Sequence, residues 1–332
     1  MNKFLLTLAA VLVSMAASAA NSSKTYTVTV VYDGTKATVT IPNEIANYVS
    51  CPSGESSHVK IIQAETVGET TTGEIIYTLS GQSDNGEFYF TGEYKATLQL
   101  NGLTLTNPDS TAIHIKDGKR IKVSMAANTV NTLKDGVADT TSKGCFHCKG
   151  HTEFAGKGTL NVSSSYAHAI YSKEYVEVKN CTINVTGAKK DAIHCQQYFL
   201  MSSGVVNISG VEDDGIQVEL KDSVSTGQVK NHEDEDSGNF YMTGGTLTIN
   251  ELGGYCIKTD GSITFSGGTR NFDTNNIKDY ATTAIQAIAN GPSSSRPAYY
   301  DLSGRRMPQN AVLTRGIYIV KEGDKSRKVI VK

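Results

Sequence analysis

The sequence predicts an all-β fold: a right-handed parallel β-helix, built as a single-stranded solenoid with about 23 residues per coil, followed by a small C-terminal β unit. Apolar residues recur 23 positions apart in the middle of the chain, as at Ile170, Ile193 and Ile216. Each period holds three short runs in which apolar and polar residues alternate, which is the periodicity of strands and not of helices. Short strands repeated at an interval of about 20 residues are typical of stacked coils.

Residues 1–20 have the pattern of a secretory signal peptide. Lys3 is followed by an apolar run from Phe4 to Ala17 and then by small residues. Such a segment is removed on export and is too short to span a membrane. We therefore expect the mature chain to be secreted or held at the outer cell surface.

The remainder of the chain divides into four parts by pattern. Alternating strands without a repeat come first, then the regular coils, then a stretch rich in Pro, Gly and Ser, then a separate terminal unit. The predicted parts are an N-terminal β region that caps the first coil, the parallel β-helix, a linker and a C-terminal β domain, at residues 21–85, 86–285, 286–298 and 299–332.

One coil is longer than the others. The step from Ile216 to Ile257 is 41 positions, so the additional residues must lie between Leu220 and Asn239. An insertion into a solenoid is a loop on one face, often the face that binds a ligand.

The charge of the chain is unevenly distributed. Residues 299–332 are basic, whereas residues 21–298 are acidic, within a total net charge of −2. Because nucleic-acid binding needs clustered Lys and Arg to displace counterions, we expect no nucleic-acid partner. Trp is absent, so the 16 Tyr supply the aromatic groups for contact with sugar rings.

The six cysteines are predicted to be unpaired, although the chain is exported. Cys148 and Cys195 occupy equivalent positions two coils apart, which places them roughly 9–10 Å from each other. A disulfide tolerates Cα separations of up to about 7 Å. We expect both side chains to pack as small apolar groups in an interior ladder.

The outward positions of the first strand in each coil carry ring, amide and amine groups. Strand parity predicts that they form an exposed ladder, made of His114, His147, Tyr171, His194, Gln217 and Lys258. On the second strand, Tyr175 and Tyr198 are expected to stack outward on adjacent coils. We predict that polysaccharide binds to Tyr171, Tyr175, His194, Tyr198 and Gln217. The alternative is a solvated sheet face that is rich in His.

Carboxylates gather at the corner before the first strand. Asp191 and Asp214 are equivalent residues on consecutive coils, and Glu212 and Asp213 directly precede Asp214. Carboxylates about 5 Å apart repel one another, and a hard divalent cation with oxygen ligands relieves that repulsion. The sequence therefore predicts a calcium site at Asp191, Glu212, Asp213 and Asp214. The alternative is that each Asp caps its own turn.

Several segments of the coils are similar to a known family. The segments "NGLTLTNPDSTAIHI" (101–115), "KDAIH" (190–194), "EDDGIQ" (212–217) and "GGTLTI" (244–249) resemble the calcium-binding, pectate-lyase-like β-helices described as carbohydrate-binding domains. The resemblance covers residues 26–275. It implies the β-helix fold, a role for calcium, and binding of plant-type polysaccharides rather than their cleavage.

The C-terminal unit is similar to a second family. The segments "YDLSGRR" (300–306), "RGIYIV" (315–320) and "KVIVK" (328–332) resemble the C-terminal sorting domain of the type IX (Por) secretion system. This resemblance implies a contact with that secretion machinery and export across an outer membrane. A small β appendage without an address function is the alternative.

Three functions from different classes are consistent with the sequence. The first is an exported, calcium-stabilised module that binds polysaccharide, including acidic plant-type glycans, without cleaving it. The second is a calcium-dependent, pectate-type lyase, in which Lys190 is the one basic residue beside the acidic corner that could remove a proton. The third is a surface adhesin.

Overall fold

The computed structural model describes residues 25–136, 142–222, 224–280, 297–308, 313–322 and 325–331. The predicted signal peptide, and most of the predicted linker, lie outside the described residues. Within the described ranges the chain is all-β, and its helical elements are two short 3-10 turns, Asn43–Ile45 and Lys230–His232. No helix in these ranges is long and apolar enough to cross a membrane.

The strands of the solenoid are short and follow one another closely along the chain. In chain order they are β1 (Thr27–Asp33), β2 (Lys36–Thr40), β3 (Val49–Ser50), β4 (His58–Gln63), β5 (Ile75–Ser83), β6 (Glu87–Thr91), β7 (Ala96–Asn107), β8 (Ile113–Ile115), β9 (Ile121–Met125), β10 (Val130–Asp135), β11 (Gly144–Cys148), β12 (Thr152–Gly156), β13 (Thr159–Ser163), β14 (His168–Ser172), β15 (Val176–Val178), β16 (Thr182–Val185), β17 (Ile193–Gln196), β18 (Tyr198–Met201), β19 (Val205–Ile208), β20 (Ile216–Glu219), β21 (Asn239–Met242), β22 (Thr246–Ile249), β23 (Ile257–Thr259), β24 (Ile263–Phe265), β25 (Thr269–Asn271) and β26 (Ile277–Lys278).

These strands form two long sheets. The first sheet has ten strands in the order β26-β23-β20-β17-β14-β11-β8-β6-β4-β3, and its neighbours are parallel except for β3 and β4. The second sheet has sixteen strands. Thirteen of them follow the path β24-β21-β18-β15-β12-β9-β7-β10-β13-β16-β19-β22-β25, and the other three branch from β7 in the order β5, β1, β2. The structure is therefore a solenoid of long parallel sheets, as the alternating pattern predicts.

The second sheet divides into two rows at β7. The first half of β7 pairs with β9 and its second half pairs with β10, so every later coil contributes one strand to each row. A tight turn separates the two rows, and Gly204 lies in such a turn with φ +91°. A side chain there would approach the Cys181 carbonyl oxygen to 2.4 Å, so the turn requires glycine.

Equivalent apolar residues stack inside the solenoid. Ile170 pairs with Ile193, Ile193 with Ile216, and Ile216 with Ile257, and all four are fully buried. The pairing of Ile216 with Ile257 places the insertion between β20 and β21, as predicted. The long coil therefore keeps its register.

Parallel pairing extends into the segment predicted as an N-terminal cap. β4 pairs with β6, and β5 pairs with both β1 and β7, in each case in parallel. Antiparallel pairs occur here as well, between β1 and β2 and between β3 and β4. Residues before Gly86 therefore contribute strands to the same sheets as the later coils.

The cysteines follow the prediction. All six are free, and Cys148 and Cys195 lie in one interior ladder, in which Ser172 separates them. Both are fully buried. Burial raises the pKa of the Cys148 thiol to about 12, so it remains a neutral packing group.

The last strands form a sheet of their own. β27 (Ala298–Tyr300), β28 (Gly316–Glu322) and β29 (Lys325–Val331) make a three-stranded antiparallel sheet. Its antiparallel pairing differs from the parallel stacking of the coils.

An asparagine ladder follows the third strands of the coils. The Asn184 side-chain amide donates to Asn161 Oδ1 at 2.8 Å, and the Asn207 amide donates to Asn184 Oδ1 at 2.9 Å. Asn161, Asn184 and Asn207 are 23 positions apart in the sequence, and the structure joins them in a coil-to-coil ladder. Each amide satisfies its neighbour, because equivalent residues lie one strand spacing apart.

We predict that Asn184→Ala lowers the free energy of unfolding by about 1–2 kcal/mol, because it removes two hydrogen bonds from a half-buried ladder. Thermal and urea melts measure the change. Asn250→Ala is the matched control, since Asn250 is exposed just beyond β22. Equal melting temperatures for Asn184→Ala and the wild type would show that the ladder contributes nothing to stability.

Candidate functional site

A continuous column of side chains runs along the outer surface of the first sheet. The pairing of successive strands places one residue of the column on each coil, in the order Lys60, Tyr89, His114, His147, Tyr171, His194, Gln217 and Lys258. The predicted ladder is confirmed in register and extends two coils further, to Tyr89 and Lys60. We call this set the outer ladder.

The rings of the outer ladder contact one another along the solenoid axis. Centroid separations are 4.6 Å between His114 and His147, 5.1 Å between His147 and Tyr171, and 5.2 Å between Tyr171 and His194. As a result Tyr171 and His194 are only 4% and 7% exposed. The prediction that these rings are exposed is therefore wrong. A ligand on this surface would meet ring edges rather than ring faces.

A second stack lies on the second sheet. His151, Tyr175, Tyr198 and His232 follow one another with centroid separations of 4.4, 4.8 and 4.9 Å. Tyr198 has a ring on both faces and is 2% exposed. The stacking of Tyr175 on Tyr198 is confirmed, but the exposure predicted for Tyr198 is wrong, because His232 of the insertion covers it. Truncating Tyr198 would thus open a cavity and not only remove a ligand contact.

The five predicted sugar-binding residues therefore fall into two groups. Tyr171, His194 and Gln217 belong to the outer ladder of the first sheet, whereas Tyr175 and Tyr198 belong to the stack on the second sheet. The phenol groups of this stack donate to carboxylates, at 3.1 Å from Tyr175 to Glu153 and at 3.0 Å from Tyr198 to Glu177.

The insertion is fastened to the coils at several points. Lys221 forms an ion pair of 2.6 Å with Glu174 of the coils, and within the insertion Asp236 accepts the backbone N–H groups of Lys221 and Asp222. Glu235, 1% exposed, accepts from Tyr241 and interacts with His232. A cavity of about 310 Å³ is lined on one side by Tyr175 and Tyr198 of the second stack and on the other by residues 231–235 of the insertion.

The acidic corner contains three close carboxylates. One ligand oxygen from each of Asp191, Asp213 and Asp214 lies within 4.8 Å of the others. Asp191 and Asp214 are 1% exposed, and Asp213 is exposed. Glu212, the fourth predicted ligand, is outside this group, and its exposed carboxylate pairs with Lys189.

Two histidines contact Asp191, but only His194 compensates its charge, because burial lowers the pKa of His168, whose Nδ1 accepts the Asp191 backbone N–H at 3.2 Å. Asp191 Oδ2 lies 2.9 Å from His194 Nδ1 and 3.2 Å from His168 Nδ1. Burial opposes ionisation, yet these two contacts hold the pKa of Asp191 well below its usual range. Burial likewise opposes a charged imidazole, but Asp191 and Glu219 together raise the pKa of His194. His168 lies 23 positions before Asp191, so the repeat places it at the same corner of the preceding coil.

Lys258 compensates the charge of Asp214. Its Nζ lies 2.9 Å from Asp214 Oδ2, while the Tyr255 backbone N–H donates to Asp214 Oδ1 at 2.7 Å. Asp213 has no such partner, and burial together with the charges of Asp191 and Asp214 raises its pKa. The sequence places Lys258 in the outer ladder, but its long side chain turns to the acidic corner.

Lys190, the base predicted for a lyase, does not occupy the position beside Asp214. Its side chain is exposed, in the turn after Lys189. The prediction that Lys190 is the one basic residue beside the acidic corner is wrong, since Lys258 is in direct contact with it.

The donor set of the corner fits a calcium ion. All three groups offer carboxylate oxygens, and ligands at 2.3–2.6 Å from Ca²⁺ lie no more than about 5 Å from one another. Their 4.8 Å limit meets that requirement, and the exposed Asp213 gives access from solvent. Asp191, Asp213 and Asp214 would hold the ion, which would supply positive charge to the surface beside the outer ladder.

A row of lysines lies beside the outer ladder. Lys116, Lys149 and Lys173 each stand two positions after a ladder residue, on three consecutive coils, and all three are exposed. The ion pairs seen within the described ranges join other lysines to carboxylates, among them Lys36, Lys189, Lys221 and Lys258, although the charge of Lys149 also acts on the buried Asp117. We call this set the lysine row. Reading two positions on from each ladder residue would have found it.

Comparison with known proteins identifies relatives of the solenoid. A family model described as "Carbohydrate-binding domain-containing protein" matches residues 63–297. A protein of that description from Acetivibrio thermocellus is 27% identical over 104 residues, which cover 29% of this chain and 36% of the relative. The match thus spans about a third of that relative's length.

A solved structure has a similar fold. It is a polysaccharide lyase-like protein from C. thermocellum, determined as a gadolinium derivative, and it superposes with a TM-score of 0.54 at 20% identity over 76% of this chain and 99% of that one. The likeness concerns the fold alone. Because the family model spans more than half of the sequence, the chain belongs to the carbohydrate-binding domain-containing protein family.

Proposed function

We propose that the chain is an exported, calcium-stabilised β-helix that binds an acidic, plant-type polysaccharide along the first sheet without cleaving it. The observation that carries the proposal is the lysine row beside the outer ladder. Family membership supports a carbohydrate as the partner.

The lysine row has the chemistry of a polyanion site. Like charges on neighbouring strands repel one another, and Lys116, Lys149 and Lys173 lie on consecutive coils, about 4.8 Å apart. Carboxylates of a uronate polymer that runs along the axis would relieve this repulsion through charge-assisted hydrogen bonds. Three coils span about 10 Å, or about two sugar rings.

The outer ladder suits the uncharged part of such a polymer. The edges of Tyr171 and His194 and the half-buried amide of Gln217 are polar groups at one per coil. The Tyr171 hydroxyl and the Gln217 amide would hydrogen-bond to sugar hydroxyls, whereas both ring nitrogens of His194 already contact carboxylates, those of Asp191 and Glu219. The polymer would therefore lie with its carboxylates towards the lysine row and its hydroxyls towards the outer ladder.

The state of Lys258 supports binding rather than cleavage. A lyase needs a neutral base beside a bound uronate. Burial opposes the charged amine, but Asp214 and its neighbours raise the pKa of Lys258, so while it contacts Asp214 the amine is protonated and cannot take up a proton. Lys190, the base expected for a lyase, is exposed in a turn.

We expect that replacing Lys116, Lys149 and Lys173 together by Gln weakens binding of de-esterified polygalacturonate about tenfold or more, since each exposed ion pair contributes a modest factor. The loss should shrink as salt is raised, because exposed charges are screened. Isothermal titration and pull-down measure it.

The matched control replaces Lys134, Lys157 and Lys179, which are exposed on the second sheet or in its turns. That triple variant has the same net charge but leaves the first sheet unchanged. An equal loss in both triple variants would mean that total charge, and not the lysine row, governs binding.

We expect calcium to raise the thermal stability of the wild type by several degrees relative to chelator. A ligand of the native state adds about 2.7 kcal/mol at a hundredfold excess over its Kd. Asp213→Asn should remove the difference, because Asp213 is the exposed carboxylate of the group. Asp109→Asn, an exposed site elsewhere, should keep it. Coincident wild-type melts with and without calcium would refute the calcium site.

We also propose export through a sorting machinery that reads residues 299–332. The motif resemblance of the tail and its separate antiparallel sheet support this role. Deleting residues 299–332 should leave a folded solenoid that stays inside the cell envelope, as shown by fractionation and circular dichroism. Normal extracellular delivery of the truncated chain would show that the tail is not an address.

A further inference from the structure

We propose that Lys258 is a built-in counterion of the acidic corner, which calcium displaces onto the outer ladder, so that calcium and an acidic glycan bind cooperatively. The inference rests on the proposed function and adds a regulation to the same site. It concerns a residue that neither the sequence motifs nor the family match singles out.

The first step is the position that Lys258 occupies. Its Nζ lies 2.9 Å from Asp214 Oδ2 and 3.5 Å from Gln217 Oε1. The other oxygen of Asp214 is held by the Tyr255 backbone N–H at 2.7 Å. A cation that binds Asp214 through Oδ2 must therefore share that oxygen with the ammonium group.

The second step is the approach of a divalent ion. Asp191 is fixed from behind by His168 and His194, and its Oδ1 accepts the Asp214 backbone N–H at 3.2 Å. Asp213 is exposed, so the ion enters from its side. Repulsion between a divalent ion and an ammonium group on one carboxylate is strong at a site this buried.

The third step is where the ammonium goes. The Lys258 side chain is 34% exposed, whereas that of Asp214 is 2% exposed, so the lysine can leave while the aspartate stays. Its stem is flexible, and its charge is a compact point charge. Lys258 follows Gln217 in the outer ladder, so the freed ammonium would face the surface proposed to hold the glycan.

A coupling between the two ligands follows. With the corner empty, Lys258 is neutralised by Asp214 and contributes little to an anionic ligand. With calcium bound, the same ammonium is available to a glycan carboxylate. By linkage, calcium must raise the affinity for the glycan by the same factor by which the glycan raises the affinity for calcium.

The experiment titrates the full chain with calcium and with tetragalacturonate, an oligomer too short to gel with calcium, each in the absence and presence of the other. Blank titrations of calcium into the oligomer correct for their direct association. For the wild type we expect each ligand to tighten the other by about fivefold or more, within the usual range of such couplings.

Two variants of Lys258 should change the calcium affinity, measured without glycan, in opposite directions. Lys258→Gln should bind calcium several-fold more tightly than the wild type, because the competing charge is gone, and should lose the coupling. Lys258→Arg retains a charge that holds Asp214 in a fork of donors, so it should bind calcium more weakly. Lys278→Gln is the control, since Lys278 is the next residue in register but contacts the Tyr255 ring.

The outcomes separate the inference from the function it rests on. Tetragalacturonate that binds equally well with and without calcium overturns the coupling and leaves the binding function standing. Absence of binding under every condition overturns the binding function itself. Unchanged or weaker calcium binding by Lys258→Gln, in a variant that is folded by circular dichroism, overturns the role of Lys258. The arginine variant decides the matter if the glutamine variant does not fold.

Discussion

Backbone hydrogen bonds between neighbouring coils fix equivalent residues about 4.8 Å apart, and every property of the molecular surface depends on this distance. When the same residue type occurs at equivalent positions of neighbouring coils, the identical side chains lie next to each other. For Asn184 the result is favourable, because an amide both donates and accepts. For lysines and carboxylates it is unfavourable, because they carry one sign of charge. The molecule treats these two cases differently.

The carboxylates of the acidic corner are neutralised from within. His168 and His194 contact Asp191, and Lys258 contacts Asp214. The lysine row forms no comparable direct ion pair within the described ranges, although the charge of Lys149 also acts on the buried Asp117. A buried charge must be paired, whereas an exposed one can be solvated. The row thus remains open to an external anion, while the corner is already occupied by the protein's own cations and can exchange one of them.

The 23-residue repeat predicts which residues share a column, and the two-residue period of a strand predicts whether that column faces inward or outward. The outer ladder, the interior position of Cys195 and the grouping of Asp191 with Asp214 all follow from these two periods. Parity does not predict how far a side chain reaches along the axis. Lys258 therefore has a backbone position in the outer ladder, but its side chain contacts Asp214 in the acidic corner. Nor does parity predict covering by a loop without a repeat, which is why the burial of Tyr198 beneath His232 was missed.

In the long coil the spacing between paired strands stays constant, while the length of the chain that connects them varies. Beyond the insertion the coils resume their register, and Ile216 pairs with Ile257, although the path between these two residues is nearly doubled. The buried, inward-facing residues therefore set the register of a coil, and the length of the loop between its strands does not. Loops of other lengths could be exchanged between β20 and β21 without shifting any ladder, so the wall of the cavity beside Tyr198 can be redesigned while the spacing along the axis stays constant.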